Sequence, residues 1–382
     1  MKKILLVFLL LGLLGGCVEK PNEKEKTEVS LVNLKEAETY YNNGIDKYNL
    51  QDYEGAILDY DKSIELNSKF VMAYYNRGNI KFNLKKYEGA ILDYNMTIEL
   101  NPKFKEAYHN RGVSKGCLKD FKGAVMDHSK AIELDPEFEE AYYNRGIAKD
   151  NLSEHEEAIL DYNKVIELNP EYAEAYNNRG GSKSYLGDFK GAMLDFDKAI
   201  ELNPEYAEAY NNRGAAKGYL DDFKGAISDF DKAILLETKF AATYYNRGNS
   251  QYFLKNYEEA ILDYDKAIEL NPEYIEAYIF RGITKIELNQ YEEAITDYDK
   301  AILLNPMDAE TYYNRGNIKV ELRKYKEAIA DYDKAIKLNP TYAEAYYNRG
   351  NAKYDLKDYS EATLDYNKAI KLDPDLKNQI KN

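Results

Sequence analysis

The chain has 382 residues, with 67 acidic against 52 basic side chains and a net charge of -15. That balance repels phosphate backbones and sets nucleic acid aside as a partner. Two Cys and three His are too few for a disulfide framework or for a four-ligand zinc site built from those side chains, so no metal or cofactor is expected. Hydrophobic residues make up 44% of the chain. Tyr supplies 38 side chains while Trp is absent, so the main large aromatic is one that tolerates both packing and water.

Residues 1–17 read MKKILLVFLLLGLLGGC. Lys2 and Lys3 precede an apolar run from Ile4 to Leu14. The run is too short for a bilayer-spanning helix, which needs about 20 residues, and has the length of a signal-peptide core. It ends in Leu14-Gly15-Gly16-Cys17, which resembles the bacterial lipobox, where small residues precede a Cys. The resemblance implies that 1–16 is a lipoprotein signal peptide and that Cys17 is the lipidation site, with palmitate-type chains on its sulfur and its new amino group. The mature chain would then be exported and held on the cell membrane or the outer membrane, since two or more acyl chains anchor stably. An ordinary secretory signal with a coincidental Cys is the plainer alternative. Residues 17–36 follow as the lipidated Cys and a flexible tether, polar and charged with Pro21 near the start. Leu31, Val32 and Leu34 are placed to cap the first helix beyond it.

From Ala37 to Leu376 the chain is one 34-residue pattern, ten times over. Gly44, Gly78, Gly112, Gly146, Gly180, Gly214, Gly248, Gly282, Gly316 and Gly350 keep that spacing, and so does the Ala series from Ala56 to Ala362. A strict period of this length predicts a solenoid of helical pairs rather than separate globular domains. The ninth repeat, AETYYNRGNIKVELRKYKEAIADYDKAIKLNPTY, predicts one helix over Ala309–Leu322 and a second over Tyr325–Leu338. Gly316 and Ala328 are small where the two helices approach, and Ala335 does the same against the next repeat. Asn339 is expected in a left-handed turn, with Pro340 ending the helix. Residues 377–382 are left as a C-terminal tail.

The pattern closely resembles the tetratricopeptide repeat (TPR). The resemblance implies an all-α fold, a right-handed superhelical solenoid of ten helix-turn-helix units whose first helices line the concave face. Two slots depart from it. The residue before the Gly, usually Leu, is Arg in nine repeats, from Arg77 to Arg349. The residue three after the Gly, usually Tyr, is Lys in nine and Gln251 in one. Every second helix carries an Asp, from Asp59 to Asp365. A partly buried Arg needs a carboxylate. The first repeat has Asn43 in place of Arg and no repeat before it, which favours pairing of each Arg with the Asp of the preceding repeat, Arg213 with Asp195.

A residue repeated ten times is usually structural, so catalysis belongs among the exceptions. His109, His128 and His155 each replace an aromatic of the pattern; an imidazole in a Tyr-shaped slot is the plain reading, and a metal or catalytic pair the sharper one. Cys117 is a lone thiol. No phosphate loop, nucleophile elbow or HExxH motif occurs, so no catalytic residue is named and no enzyme activity is expected.

The first helices instead carry a polar row. Two residues before the Gly stand Asn42, Asn76, Asn110, Asn144, Asn178, Asn212, Asn246, Asn314 and Asn348, with Phe280 in the eighth repeat. Beside them are Tyr41, Tyr75, Tyr143, Tyr245, Tyr313 and Tyr347. Just after the Gly come Asn79, Asn249, Asn317 and Asn351. Such amides can bond the backbone of an extended peptide, with Tyr faces adding rigid contact; the alternative is that they buttress neighbouring helices. In the eighth repeat Ile279 and Phe280 predict an apolar patch able to take a partner side chain. The function these features imply is a membrane-anchored scaffold binding a protein or extended peptide in its groove. Carbohydrate is the second partner class that Tyr and Asn suit, and some tetratricopeptide lipoproteins resemble parts of polysaccharide export systems. Self-association through the solenoid ends is a further expectation.

Overall fold

The computed structural model describes residues 23–237 and 239–379, with side chains placed from Leu31 to Lys377. Cys17 and the segment 1–16 lie outside the described residues, as does the beginning of the expected tether. Among the described residues there are twenty α-helices, one short 3-10 helix and no strand. They form two compact bodies, one ending at Leu152 and one beginning at Ser153. The first body holds α1 (Glu23–Asn49), α2 (Tyr53–Leu66), α3 (Val71–Asn83), α4 (Tyr87–Leu100), α5 (Lys105–Cys117), α6 (Phe121–Leu134) and α7 (Glu139–Asp150). The second holds α8 (His155–Leu168), α9 (Ala173–Tyr185), α10 (Phe189–Leu202), α11 (Ala207–Tyr219), α12 (Phe223–Leu236), α13 (Ala241–Phe253), α14 (Tyr257–Leu270), α15 (Ile275–Glu287), α16 (Tyr291–Leu304), α17 (Ala309–Glu321), α18 (Tyr325–Leu338), α19 (Ala343–Asp355), α20 (Tyr359–Leu372) and the 3-10 turn Pro374–Gln379. Within each body every helix packs on the next in sequence, as a solenoid requires. No helix among the described residues is long and apolar enough to cross a membrane.

The start of α1 corrects one expectation. The helix begins at Glu23 rather than Ala37, so the later part of the segment read as a tether is helical. After Pro21 that stretch has no helix breaker and is rich in Glu, Lys and Leu, all good helix formers.

The small residues do what close packing asks of them. A Cβ placed on Gly316 would lie 2.7 Å from Cε1 of Tyr332, so the ring of the second helix fills the space that a side chain on the first would need. Ala335 is fully buried against Ala345 of the following repeat, with Tyr312 completing the contact. Tyr332, Ala328 and Ala352 form the adjoining cluster.

The turns divide the labour differently from the reading of Asn339. That residue is extended, at φ -128° and ψ 92°, because the following Pro pushes it out of helical space. Its Oδ1 accepts from the backbone N–H of Thr341 at 3.1 Å, an Asx turn repeated at Asn101, Asn169, Asn203, Asn271 and Asn305. The left-handed residue sits instead in the turn inside each repeat. Gln51, Lys85, Lys119, Ser153, Asp221, Lys255, Asn289, Arg323 and Lys357 all have φ between 56° and 67°, and Gly187 has φ 81°. Each non-glycine there costs roughly 1 kcal/mol.

The Arg row pairs within its own repeat, contrary to the inter-repeat ladder inferred from Asn43. Arg213 Nε donates to Asp229 Oδ2 at 2.9 Å and Nη2 to Oδ1 at 2.6 Å, a bidentate fork. Arg77, Arg111, Arg179, Arg247, Arg281, Arg315 and Arg349 bind the Asp sixteen residues on in the same way. The remaining Nη1 of Arg213 reaches back to Asp197 of the preceding repeat at 2.7 Å. A bridge between repeats therefore exists, but through Asp197 and not Asp195. Residues two apart lie on opposite sides of a helix, so Asp195 faces its own repeat while Asp197 faces the next. The Lys row, read as a departure without a role, completes the node: Lys217 Nζ lies 2.7 Å from Asp229 Oδ2. Arg213 and Lys217 are one helical turn apart and converge on one carboxylate. The guanidinium also lies over the Tyr210 ring, 5.4 Å from its centre. The hydrogen bond to Asp229 holds Arg213 above the ordinary arginine range in spite of its burial. In the first repeat Asn43 leaves Asp59 to Lys47 alone, at 2.7 Å.

Removing charge at the two ends of this network should therefore have unequal effects. Asp229→Asn is expected to cost about 3 kcal/mol, because it strands a half-buried guanidinium. Asp197→Asn, at a side chain 52% exposed, should cost under about 1 kcal/mol. Urea midpoints at unchanged slope measure both, and equal losses would disprove the ranking.

Candidate functional site

The first helices bring the Asn and Tyr rows together as a ladder. In the first body, Asn76 Nδ2 on α3 donates to Tyr41 Oη on α1 at 3.1 Å. Asn110 Nδ2 on α5 reaches both Tyr75 Oη at 3.1 Å and Asn79 Oδ1 at 3.0 Å. Asn79 Oδ1 also accepts from Tyr94 Oη of α4 at 2.8 Å. In the second body Asn348 repeats the arrangement with Tyr313 and Asn317, while Tyr332 Oη donates to Asn317. Tyr264 and Tyr366 donate likewise to Asn249 and Asn351, and Asn212 donates to Asn177 at 3.0 Å. Much of the row thus bonds from one repeat to the next, which is the buttressing role.

Asn42 is exposed on α1, Tyr143 and Asn144 are half-buried, and half-buried Asn178 accepts from Asn177 Nδ2 at 3.4 Å. Asn144 Nδ2 turns to the backbone oxygen of Glu140 at 2.8 Å. Among the described residues the amides of Asn246 and Asn314 have no hydrogen-bond partner: the residue that would serve Asn314 is Ile279, and Asn211, which would serve Asn246, leaves its own Oδ1 buried and unbonded. Tyr245 packs at a tilt between Tyr264 and Tyr274 with ring centres 6.0 and 5.0 Å away, and Tyr347 packs on Tyr366 at 5.9 Å.

Two cavities open on these helices. In the first body one of about 500 Å³ is lined by Tyr48, Asn79, Phe82, Asn83, Tyr94, His109, Asn110, Val113 and Asn144. In the second body one of about 400 Å³ lies among α15, α16 and α17, lined by Ile283, Ile286, Tyr291, Tyr298, Asn314, Asn317, Ile318 and Glu321. The eighth repeat is apolar as expected, but Phe280 is not the pocket. Its ring meets Tyr245 edge-on at 5.7 Å and Tyr264 at 6.4 Å, replacing the Asn–Tyr hydrogen bond by an aromatic contact. The opening lies one turn further along, at Ile283 and Ile286. The sequence signal is partial: Ile286 stands where Tyr48, Phe82, Tyr252 and Tyr354 stand in other repeats.

His109 and His128 occupy the slots of Tyr75 and Tyr94, their ring centres 5.2 Å apart. Each leaves a buried Nδ1 without a hydrogen-bond partner. No group of three or more His, Cys, Asp or Glu among the described residues could hold a metal. His155 stacks flat on Tyr185 at 4.7 Å, and Cys117 is exposed. Burial, reinforced by the charges of His109, Arg145 and Lys115, lowers His128 to about 3. Burial also lowers His109, against the opposing charge of Glu140. Both rings are therefore held neutral by the fold. That contribution is complete above the unfolded value of about 6.5 and is lost as pH falls toward the folded value, at up to about 1.4 kcal/mol per pH unit for each ring. Thermal melts from pH 7 to 4 should fall more steeply for the wild type than for His109→Tyr/His128→Tyr. Parallel curves would refute the coupling.

Family models agree with the repeat geometry. Models described as tetratricopeptide repeat match residues 71–104, 139–172, 241–274 and 343–376, and a further one matches 207–240. A model described as TPR repeat matches 46–85, 185–218, 282–322 and 316–357. No curated protein sequence matches the chain. Among solved structures, a tetratricopeptide repeat protein from Parabacteroides merdae is 20% identical, with 65% of this chain and 99% of that one covered and a TM-score of 0.54; it shares the fold. MamA is 27% identical over 43% of this chain and 96% of its own, at a TM-score of 0.42. YrrB, described as a TPR protein with an unusual peptide-binding site, is 25% identical over 48% and 95%, at 0.40. With helix pairs of the expected length, Gly-to-ring contacts repeated within both bodies, and matching models along both, the chain belongs to the tetratricopeptide repeat family.

Proposed function

We propose that this chain is a non-enzymatic scaffold that holds extended segments of partner proteins along its first helices, tethered in the cell envelope by lipid on Cys17. The observation that supports the reading is the row of half-buried amides interrupted by cavities. An Asn amide offers two donors and an acceptor, and where the ladder leaves one unbonded, as at Asn246 and Asn314, a peptide backbone can take the place of the missing neighbour. The surrounding Tyr rings present flat, rigid faces whose ordering costs little entropy. The groove holds amides, phenols and aliphatic side chains in repeated positions, a composition suited to holding a chain rather than to bond chemistry.

A carbohydrate ligand is the second reading, and one observation favours it. In the second body three ring pairs stack nearly parallel in successive repeats: His155 with Tyr185, Phe189 with Tyr219 and Phe223 with Phe253. Tyr185 is 80% exposed and Tyr219 72%. Such outward flat faces suit the apolar faces of sugar rings as well as peptide side chains.

Envelope extract passed over the immobilised chain separates the two. Captured material that survives glycosidase but not protease supports the scaffold; oligosaccharide release supports the second reading. Asn246→Ala/Asn314→Ala should lose captured protein with an unchanged melting temperature, while Asn348→Ala, which breaks two interior hydrogen bonds, should lower it. The reverse pattern would assign the whole row to structure. For the tether, labelled fatty acid should enter the wild type and not Cys17→Ser; equal incorporation would end the lipobox reading.

A further inference from the structure

The amide ladder and the second-body cavity break at the same point. Asn76, Asn110 and Asn348 each donate to a Tyr hydroxyl thirty-five residues upstream. For Asn314 that position is Ile279, which has no group to accept, and Asn314 lines the cavity with Ile283, Ile286 and Ile318. Ile286 lines it from the slot in which Tyr48, Phe82, Tyr252 and Tyr354 place an aromatic ring. At about 400 Å³ it is at the smaller end of natural ligand sites, which run from about 300 to 1,000 Å³. Its rim carries Glu321, exposed at the end of α17. The cations of α15 and α17 are all engaged elsewhere: Arg281 and Lys285 with Asp297, Arg315 and Lys319 with Asp331. Glu321 has no ion-pair partner among the described residues.

We propose that this cavity is an anchor pocket of the groove, taking one aliphatic side chain of an extended partner peptide that carries Lys or Arg beside it. The proposal rests on the groove reading above and gives it a sequence preference. The aliphatic side chain is desolvated among the three Ile side chains, the peptide backbone supplies the partner that Asn314 lacks, and the cationic neighbour meets Glu321. A floor without charge and a rim with one uncommitted carboxylate distinguish this occupant from an acidic or wholly polar segment.

The test is selection of a random dodecamer peptide library on the full chain, its Glu321→Lys variant and its Ile286→Tyr variant. Both substitutions are compatible with folding: Glu321 is exposed, and Tyr is native to the Ile286 slot as Tyr48, Tyr252 and Tyr354. Melting curves verify it. The wild type should enrich Leu, Ile or Val next to Lys or Arg. Glu321→Lys should shift the neighbour to Asp or Glu. Ile286→Tyr should weaken the best wild-type peptide by about tenfold or more, the worth of burying one aliphatic side chain. Enriched peptides whose consensus ignores both substitutions would overturn the pocket and leave the groove standing. A folded wild type that enriches no peptide would overturn the groove reading and the pocket with it.

Discussion

The structure depends on a buried carboxylate met by two cations from one helix face. Asp229 is 4% exposed, and neither Arg213 nor Lys217 alone would satisfy it as both do. The two slots that depart from the family pattern change together because they serve one partner. The seventh repeat shows the cost of losing one of them. Gln251 stands in the Lys slot and turns to Asn256 at 2.7 Å, Asp263 keeps Arg247 alone, and burial pushes its carboxyl above the usual range. Such a node contributes more to register than to net stability, since desolvation offsets much of the attraction.

In six repeats a second layer, on the other side of the same helices, matches the residue after the Gly to the ring that fills the Gly notch, whereas Tyr60 and Tyr298 fill it beside Ile45 and Ile283. Where that residue is Asn79, Asn249, Asn317 or Asn351, the ring is a Tyr whose hydroxyl bonds it. Where it is Gly181 or Ala215, the ring is Phe196 or Phe230, with no hydroxyl to satisfy. The core thus avoids stranding a buried phenol in those repeats. The groove surface and the hydrophobic core are consequently two ends of the same side chains.

The fold was legible because it is periodic. The helices of the ninth repeat, read as Ala309–Leu322 and Tyr325–Leu338, form as Ala309–Glu321 and Tyr325–Leu338, since Gly316 and Ala328 fix the crossing and Pro340 the end. What the period hides is direction around a helix. Asp195 and Asp197 are equally regular, and the choice between them as partner of Arg213 turns on which side each faces. Asn339 has the composition of a left-handed residue, whereas the turn that needs one is held by residues as ordinary as Lys255. Of the site, the Asn and Tyr rows were visible, but the slot of Ile286 varies from Gly116 to Tyr354 along the repeats, so the sequence alone did not mark where a cavity would open. Helix from Glu23 was hidden by a charged composition that serves tethers and solvated helices alike.

Pairing inside the repeat has a consequence for how such a chain can change its length. Within each body the repeats neutralise their own interior charge, and what a repeat extends to its predecessor is a contact with an exposed residue such as Asp197 or Asp333. A copy gained or lost in whole multiples of the period leaves no orphaned ion at the seam. The first repeat, with Asn43 where a backward-reaching Arg would have nothing to grasp, is already written as a beginning. Adding or removing one whole repeat would therefore leave the electrostatics of the remaining modules intact.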